Sequence, residues 1–286
     1  MPYSALAFRC RPLLWMAVLV LSSVAHAQTQ ASCTFSFFSP SGWPPLGIND
    51  WGTVVGGDGE GVVLIGASLI FVPWVGEFVD RDHDGFSVGF TSPEGWYLLD
   101  RQAYTPVQYL TLGSLKPVDH LTPGNLNEFT IRRRNKWGSS VGTYLDSQSR
   151  AHGFKRWNGG SFDTLDYPSS SRTDAVGIND LGAVVGSYTD AVGKQHGFIY
   201  SGGQWATLDY PKATATDLVG LANGGTIVGN AQVNGTAVAF LYSNGAFKTI
   251  SVPNSPLNST IVLGTSPRIG LILGTYPNGG FKATCN

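Results

Sequence analysis

Residues 177–211 read GINDLGAVVGSYTDAVGKQHGFIYSGGQWATLDYP. The same order of elements recurs at 137–168 (WGSSVGTYLDSQSRAHGFKRWNGGSFDTLDYP) and at 224–253 (GGTIVGNAQVNGTAVAFLYSNGAFKTISVP), with a period of 42 to 45 residues. Each copy divides into three strand-like parts: a short branched run (AVVGSY), a run carrying the HGF or VAF element (HGFIY, VAFLY), and a run ending in proline (WATLDYP, FKTISVP). Asn158-Gly159, Gly202-Gly203 and Asn244-Gly245 stand between the second and third parts. Such pairs accept positive φ and favour tight hairpins. Ahead of the first part, Gly177 to Asp180 reads as the end of a fourth strand and the turn out of it, because Asn and Asp side chains bond the backbone close by.

The template finds worn copies on both sides. Gly47-Ile48-Asn49-Asp50-Trp51-Gly52 opens one, followed by Val54-Val55-Gly56. FVDRDHDGFSVGF at 78–90 opens another, with Gly85 falling on Gly182, Val88 on Val185 and Gly89 on Gly186. The last copy starts at Ser259, places Gly274 on Gly229 and Gly280-Phe281 on Gly197-Phe198, and then lacks its third part. CTFSFFSP at 33–40 is a third part with nothing before it. The two ends complete one unit, which removes the exposed sheet edges of an open array. Cys33 falls on Gln204 and Cys285 on Gly202. A disulfide there replaces the missing hairpin turn, and closing so long a loop is worth about 5 kcal/mol by chain entropy.

The recurring glycines Gly56, Gly89, Gly142, Gly186, Gly229 and Gly274 mark six units, near 47–73, 79–112, 119–168, 171–211, 214–253, and 259–286 with 33–40. The fold expected is all-β, a single closed β-propeller of about six blades. The irregular spacings of 33 and 53 residues on either side of Gly89 leave five or seven as alternatives. A β-solenoid or a sandwich is the competing architecture, and neither accounts for the split unit.

Composition agrees. Glycine makes up 37 of the 286 residues and charged residues 13%, against typical shares of about 7% and about 25%. Arg9 and Arg11, the apolar run Leu13 to Val24 and Ala25-His26-Ala27 make residues 1–27 read as a secretory signal peptide. The run is shorter than the roughly 20 residues of a membrane-spanning helix, and no other stretch is long enough. The remaining 28–286 are expected to be secreted, extracellular or periplasmic, with 16 basic and 19 acidic residues. That balance gives no purchase for nucleic acid. The one basic cluster, Arg132-Arg133-Arg134-Asn135-Lys136, reads as a solvated loop.

The pattern GIND…VVGSY…HGFIYSGG…LDYP resembles the HAF-type extracellular repeat of secreted bacterial proteins, well over about 120–274 and weakly elsewhere. The resemblance implies export and a β-propeller. It implies no activity.

Residues at shared repeat positions serve the unit, so His152 and His196 (Val238 in the third copy), Asp166, Asp209 and the Asn-Asp turns read as structural. Residues that break the pattern are better candidates, and they gather between 60 and 128. Trp51, Trp74, Trp96, His83 and His120 are the expected binding residues, since flat rings stack on sugars; filling gaps between blades is the plainer role of the tryptophans. Asp80-Arg81-Asp82-His83-Asp84-Gly85 begins like a calcium loop, with Asp80, Asp82 and Asp84 as oxygen ligands. It also occupies the Gly-Ile-Asn-Asp turn of its own unit, and position twelve of such a loop is Thr91; a plain turn is the first reading, calcium the second. No nucleophile elbow, HExxH or phosphate loop appears. The leading expectation is therefore a non-catalytic propeller binding an extracellular glycan or protein. The alternatives are a glycoside hydrolase or lyase on the same scaffold, and a structural subunit of an extracellular assembly.

Overall fold

The structure, a computed structural model, describes residues 29–39, 42–57, 61–72, 77–81, 87–91, 95–99, 106–110, 129–157, 162–256 and 258–286. Residues 1–27, the expected leader, lie outside them.

Two strands lead the described chain, β1 (Thr29–Gln30) and β2 (Cys33–Phe38). Four-stranded antiparallel meanders follow. The first is β3 (Pro45–Ile48), β4 (Val54–Gly57), β5 (Gly61–Ile65) and β6 (Ser68–Val72); the second is β7 (Glu77–Arg81), β8 (Ser87–Thr91), β9 (Gly95–Leu99) and β10 (Pro106–Leu110). The third is β11 (Phe129–Arg134), β12 (Ser140–Leu145), β13 (Ala151–Arg156) and β14 (Phe162–Leu165). The fourth is β15 (Arg172–Ile178), β16 (Val184–Thr189), β17 (Gln195–Ser201) and β18 (Gln204–Thr207). The fifth is β19 (Ala215–Leu221), β20 (Ile227–Val233), β21 (Thr236–Ser243) and β22 (Ala246–Ile250). A parallel bridge from Gln195 to Ala215 links the fourth to the fifth, and β1 runs parallel to β22. The last meander is β23 (Ile261–Thr265), β24 (Ile272–Tyr276) and β25 (Gly279–Cys285), and it takes β2 as its fourth strand. The sequence placed this split unit correctly.

The cysteines are joined, Cys33 to Cys285, across 252 residues. They face each other directly in the β2–β25 ladder. In the fourth meander Phe198 pairs with Thr207, as Phe281 pairs with Phe37 here. Cys33 therefore takes the place of Gly203, one residue away from the Gln204 expected. Aligning the prolines caused the slip; the ladder register decides it. The bridge stands where the two-residue turn Gly202-Gly203 stands elsewhere.

The repeated glycine has a steric cause. Every first strand carries a bulge, between Ala175 and Gly177 in β15 and at the same place in β3, β7, β11, β19 and β23. A bulge swings one carbonyl toward the partner strand. A Cβ on Gly186 would lie 1.9 Å from the Asp174 oxygen, and one on Gly142 would lie 1.9 Å from that of Thr130. Only glycine fits opposite the bulge.

The Gly-Ile-Asn-Asp signature is equally local. Asn179 Oδ1 accepts from the backbone N–H of Leu181 (3.1 Å) and of Ala183 (3.0 Å), closing the turn from the first strand to the second. Asn49 and Asn135 do the same. The aspartate after it works between units. Asp180 accepts from the N–H of Lys136 in the preceding meander (3.1 Å), and Asp50 accepts from the N–H of Arg268 (2.9 Å).

The apolar cores lie between successive meanders. Val141 of the third packs with Ala175, Val184 and Phe198 of the fourth, and Leu273 of the last packs with Trp43, Ile48 and Val62 of the first. Trp43 thus fills a gap between sheets. The first strands touch in succession, β3 with β7, β7 with β11, β11 with β15, β15 with β19, β19 with β23, and β23 with β3.

Arg132 to Arg134 do not form a solvated loop. They end β11, and Arg133 points inward. Its Nη1 donates to the Leu46 carbonyl at 2.9 Å and its Nη2 to that of Leu263 at 3.0 Å.

Candidate functional site

The space beside Arg133, among Ile48, Ile178, Leu221, Thr265 and Pro267, is about 10 Å³. That is the room of about one water. The larger hollow lies between the third and fourth meanders, on the side of the turns that join first to second strands. It is a cleft of about 390 Å³ lined by Asn135, Trp137, Lys155, Trp157, Asp180 and Leu181.

Strand geometry sets its walls. Lys155 and Trp157 are two residues apart, so both side chains leave the same face. Asp163 lies across from Lys155 in the β13–β14 ladder. Trp157 Nε1 donates to Asp163 Oδ2 at 2.7 Å. Trp137 comes from the Asn135 turn, and its Nε1 donates to the Asp180 carbonyl at 2.8 Å. Both indoles are anchored by their polar edge yet remain open, Trp137 by 61% and Trp157 by 43%.

Lys155 is only 5% exposed. Its Nζ donates to the Gly182 carbonyl at 3.0 Å and sits 3.8 Å from the centre of the Trp157 ring. Burial pushes its pKa below the ordinary lysine value, and Asp163 pulls it back up. Lys136 Nζ lies 4.5 Å from the Trp137 ring. Each tryptophan therefore carries one ammonium on one side. Asp180 is committed to structure, since its Oδ1 accepts from Lys136 N–H and its Oδ2 from Asn223 Nδ2 at 2.9 Å. Asp163 is exposed and bonded to Trp157, next to the cleft and not among its lining residues.

A related cleft of about 280 Å³ lies between the last meander and the first, lined by Thr34, Phe35, Ser36, Leu271, Lys282 and Thr284. Lys282 occupies the place of Lys155, and its Nζ donates to the Gly52 carbonyl at 3.1 Å. Burial lowers its pKa as well. No tryptophan lines this second cleft.

On the opposite ends of the strands, each repeat histidine is held between two carboxylates. His152 has Nδ1 2.9 Å from Asp166 and Nε2 3.1 Å from Asp146. His196 has Nδ1 2.6 Å from Asp209 and Nε2 3.3 Å from Asp190. Tyr144 and Tyr188 stack on them at 5.0 and 5.1 Å. The partners of both histidines are side-chain carboxylates of their own units. Both ring nitrogens of each imidazole are engaged.

Of the residues singled out in the sequence, Trp51 is 75% exposed in the first turn. Asp80 and Trp96 lie in β7 and β9, with side chains outside the described set. Trp74, Asp82, His83, Asp84 and His120 lie outside the described residues, and the calcium reading with them. Among the described residues no group of three or more His, Cys, Asp or Glu is placed to hold a metal, and no helix is long and apolar enough to cross a membrane. Lys155, Trp137 and Trp157 were missed. The signal was weak: the equivalent residues in the next copy are Ile199, Leu181 and Ser201, but Lys155 recurs as Lys282 and Trp137 as Trp51, so the combination and not each residue sets this unit apart.

No family model matches the sequence, and no curated protein matches it. Solved structures do. A gluconolactonase from Xanthomonas campestris, described as important in glucose secondary metabolic pathways, aligns with a TM-score of 0.57 at 9% identity, covering 93% of this chain and 94% of that one. AofleA from Arthrobotrys oligospora, carrying three arginine-to-alanine changes, aligns at 0.49 with 12% identity over 90% and 87%. The Aleuria aurantia lectin in complex with alpha-methyl-L-fucoside aligns at 0.47 with 11% identity over 88% and 96%. The first likeness is one of fold: the chain is all-β and propeller-like. It also corrects the expectation of a non-catalytic binder. That expectation rested on missing catalytic motifs, and an enzyme shares this fold.

Proposed function

We propose that the protein is an exported carbohydrate-active enzyme, a glycoside hydrolase or lyase, carried on a closed six-bladed β-propeller. The succession of first-strand contacts from β3 round to β23 and back supports closure, as do β2 in the last sheet and the Asp50–Arg268 bond. The leader-like residues 1–27 and the Cys33–Cys285 bridge support export. The repeat signature supports membership of the HAF-type repeat proteins.

One observation carries the function: two exposed, edge-anchored tryptophans flank a cleft that also presents a buried lysine, and one of them is anchored on an exposed carboxylate beside it. Indole faces stack on pyranose rings. Asp163, held through one oxygen by Trp157, has its other oxygen free to exchange a proton with a substrate. The shared fold with a gluconolactonase supports sugar chemistry on such a scaffold.

The test is a panel of neutral and acidic polysaccharides incubated with the purified protein. New reducing ends without ultraviolet gain mean hydrolysis; an ultraviolet-absorbing unsaturated end means elimination. Asp163→Asn and Trp137→Ala are expected to abolish either product. No product from any polymer, or full activity in both variants, sinks the reading.

A further inference from the structure

Lysine is almost never buried unless paired, yet Lys155 is 5% exposed. An ammonium has three N–H donors. Among the described residues one of them has an acceptor, the Gly182 carbonyl, and the Trp157 face covers another side. No carboxylate of the cleft is within ion-pair distance of it. Asp180 is consumed by Lys136 and Asn223, and Asp163 receives the Trp157 N–H.

The fold does not require a cation here. The equivalent third-strand residues are Ile199 and Leu241 in the next two meanders and Val63 in the first. Lys282 repeats the bond to a turn glycine, so that bond is a device of the repeat. Unlike Lys282, Lys155 shares its cleft with two open tryptophans, and Lys136 adds a second ammonium above Trp137.

We infer that this cleft takes an acidic saccharide, a sugar residue whose carboxylate sits on Lys155 while its ring lies against Trp137 and Trp157. The inference rests on the carbohydrate reading above and names its substrate class. A carboxylate supplies the acceptors that the buried ammonium lacks, as a charge-assisted hydrogen bond inside a partly dry cleft. A neutral hydroxyl would leave the ammonium with only the longer-range attraction of Asp163.

The experiment is binding of uronate-containing oligosaccharides and of their neutral counterparts of the same linkage, followed by calorimetry and tryptophan fluorescence. It uses the wild type, Lys155→Met, Lys282→Met and Trp137→Ala, each first shown to melt cooperatively. Acidic ligands are expected to bind at least tenfold more tightly than neutral ones. Added salt should narrow the gap, Lys155→Met should close it, Lys282→Met should keep it, and Trp137→Ala should weaken both classes. Equal affinity for the two classes, or a preference that survives Lys155→Met, overturns the inference. Turnover is scored separately. Lys155-dependent acid preference without product leaves the inference standing and sinks the enzyme; product from neutral polymers alone does the reverse. Absence of any binding overturns the inference.

Discussion

Arg133 and Leu263 stand 130 residues apart in the chain, and the guanidinium of the first donates to the carbonyl of the second at 3.0 Å. With the bond to Leu46, one side chain of the third meander holds the first strands of the first and the last. Hydrogen bonds from a charged group are worth about 1.5–3 kcal/mol each, and the carbonyls would be left unmatched. Arg133→Met is expected to cost about 2–4 kcal/mol in urea unfolding. A Cβ on Gly264 would lie 2.2 Å from the Arg133 Nη2. Gly264→Ala should therefore cost a similar amount alone and much less in the Arg133→Met background, a coupling read by a double-mutant cycle.

The bulge and its glycine can be tested singly. Gly186→Ala places a methyl 1.9 Å from a backbone oxygen and 3.0 Å from the Phe198 ring, and neither can retreat without losing the ladder. A loss of at least about 3 kcal/mol is expected, in the range of core overpacking and strain. Gly193→Ala is the comparison. It has φ +87 and nothing within 4 Å of the new methyl, so it should cost only about 1–2 kcal/mol, the left-handed penalty.

Replacing both cysteines of the Cys33–Cys285 bridge by serine is expected to destabilise by about 5 kcal/mol, from the length of the loop released. The urea midpoint of the double serine variant should match that of the reduced wild type. A shift below 1 kcal/mol would mean that the β2–β25 ladder holds the ends without help.

Acid should loosen the two histidine clamps. The His152 hydrogen bond, and then the Arg150 backbone N–H, hold Asp146 below the usual carboxylate pKa. For Asp190 the Lys194 backbone N–H comes first and His196 contributes next. A carboxyl lowered in the folded state adds stability above its unfolded pKa of about 3.9, and that stability is lost as pH falls through the folded value. Asp146→Asn with Asp190→Asn should flatten the drop in stability below pH 4 while retaining the backbone bonds. An unchanged acid limb in urea titrations would place the acid sensitivity elsewhere.

What was legible in the sequence is what every unit needs. The glycine opposite the bulge, the Asn-Asp turn and the third part stranded at residues 33–40 recur because each solves a steric or hydrogen-bonding problem of one meander. Arg133 was not legible. Its place in an arginine run resembled a solvated loop, and only the approach of β3 and β23 shows where it points. The clamp on His152 was half visible, since Asp166 shares its repeat while the use of Asp146 depends on the hairpin bringing it back. The cleft was overlooked because unusual residues were sought in the irregular units, whereas Lys155, Trp137 and Trp157 come together inside a regular one, at positions that elsewhere carry them singly or not at all.

The strand that completes the last sheet is also made long before its partner. Residues 33–38 leave the ribosome some 250 residues ahead of residues 279–285, a wait of roughly 10 to 50 s at ordinary elongation rates. Throughout that interval a six-residue strand bearing Phe35, Phe37 and Phe38 has no ladder to join. Cys33 meanwhile has no Cys285 to meet. Formation of the bond therefore reports that synthesis has passed residue 285, and any product cut short upstream of it is left with an open sheet and an unmatched thiol for quality control to find.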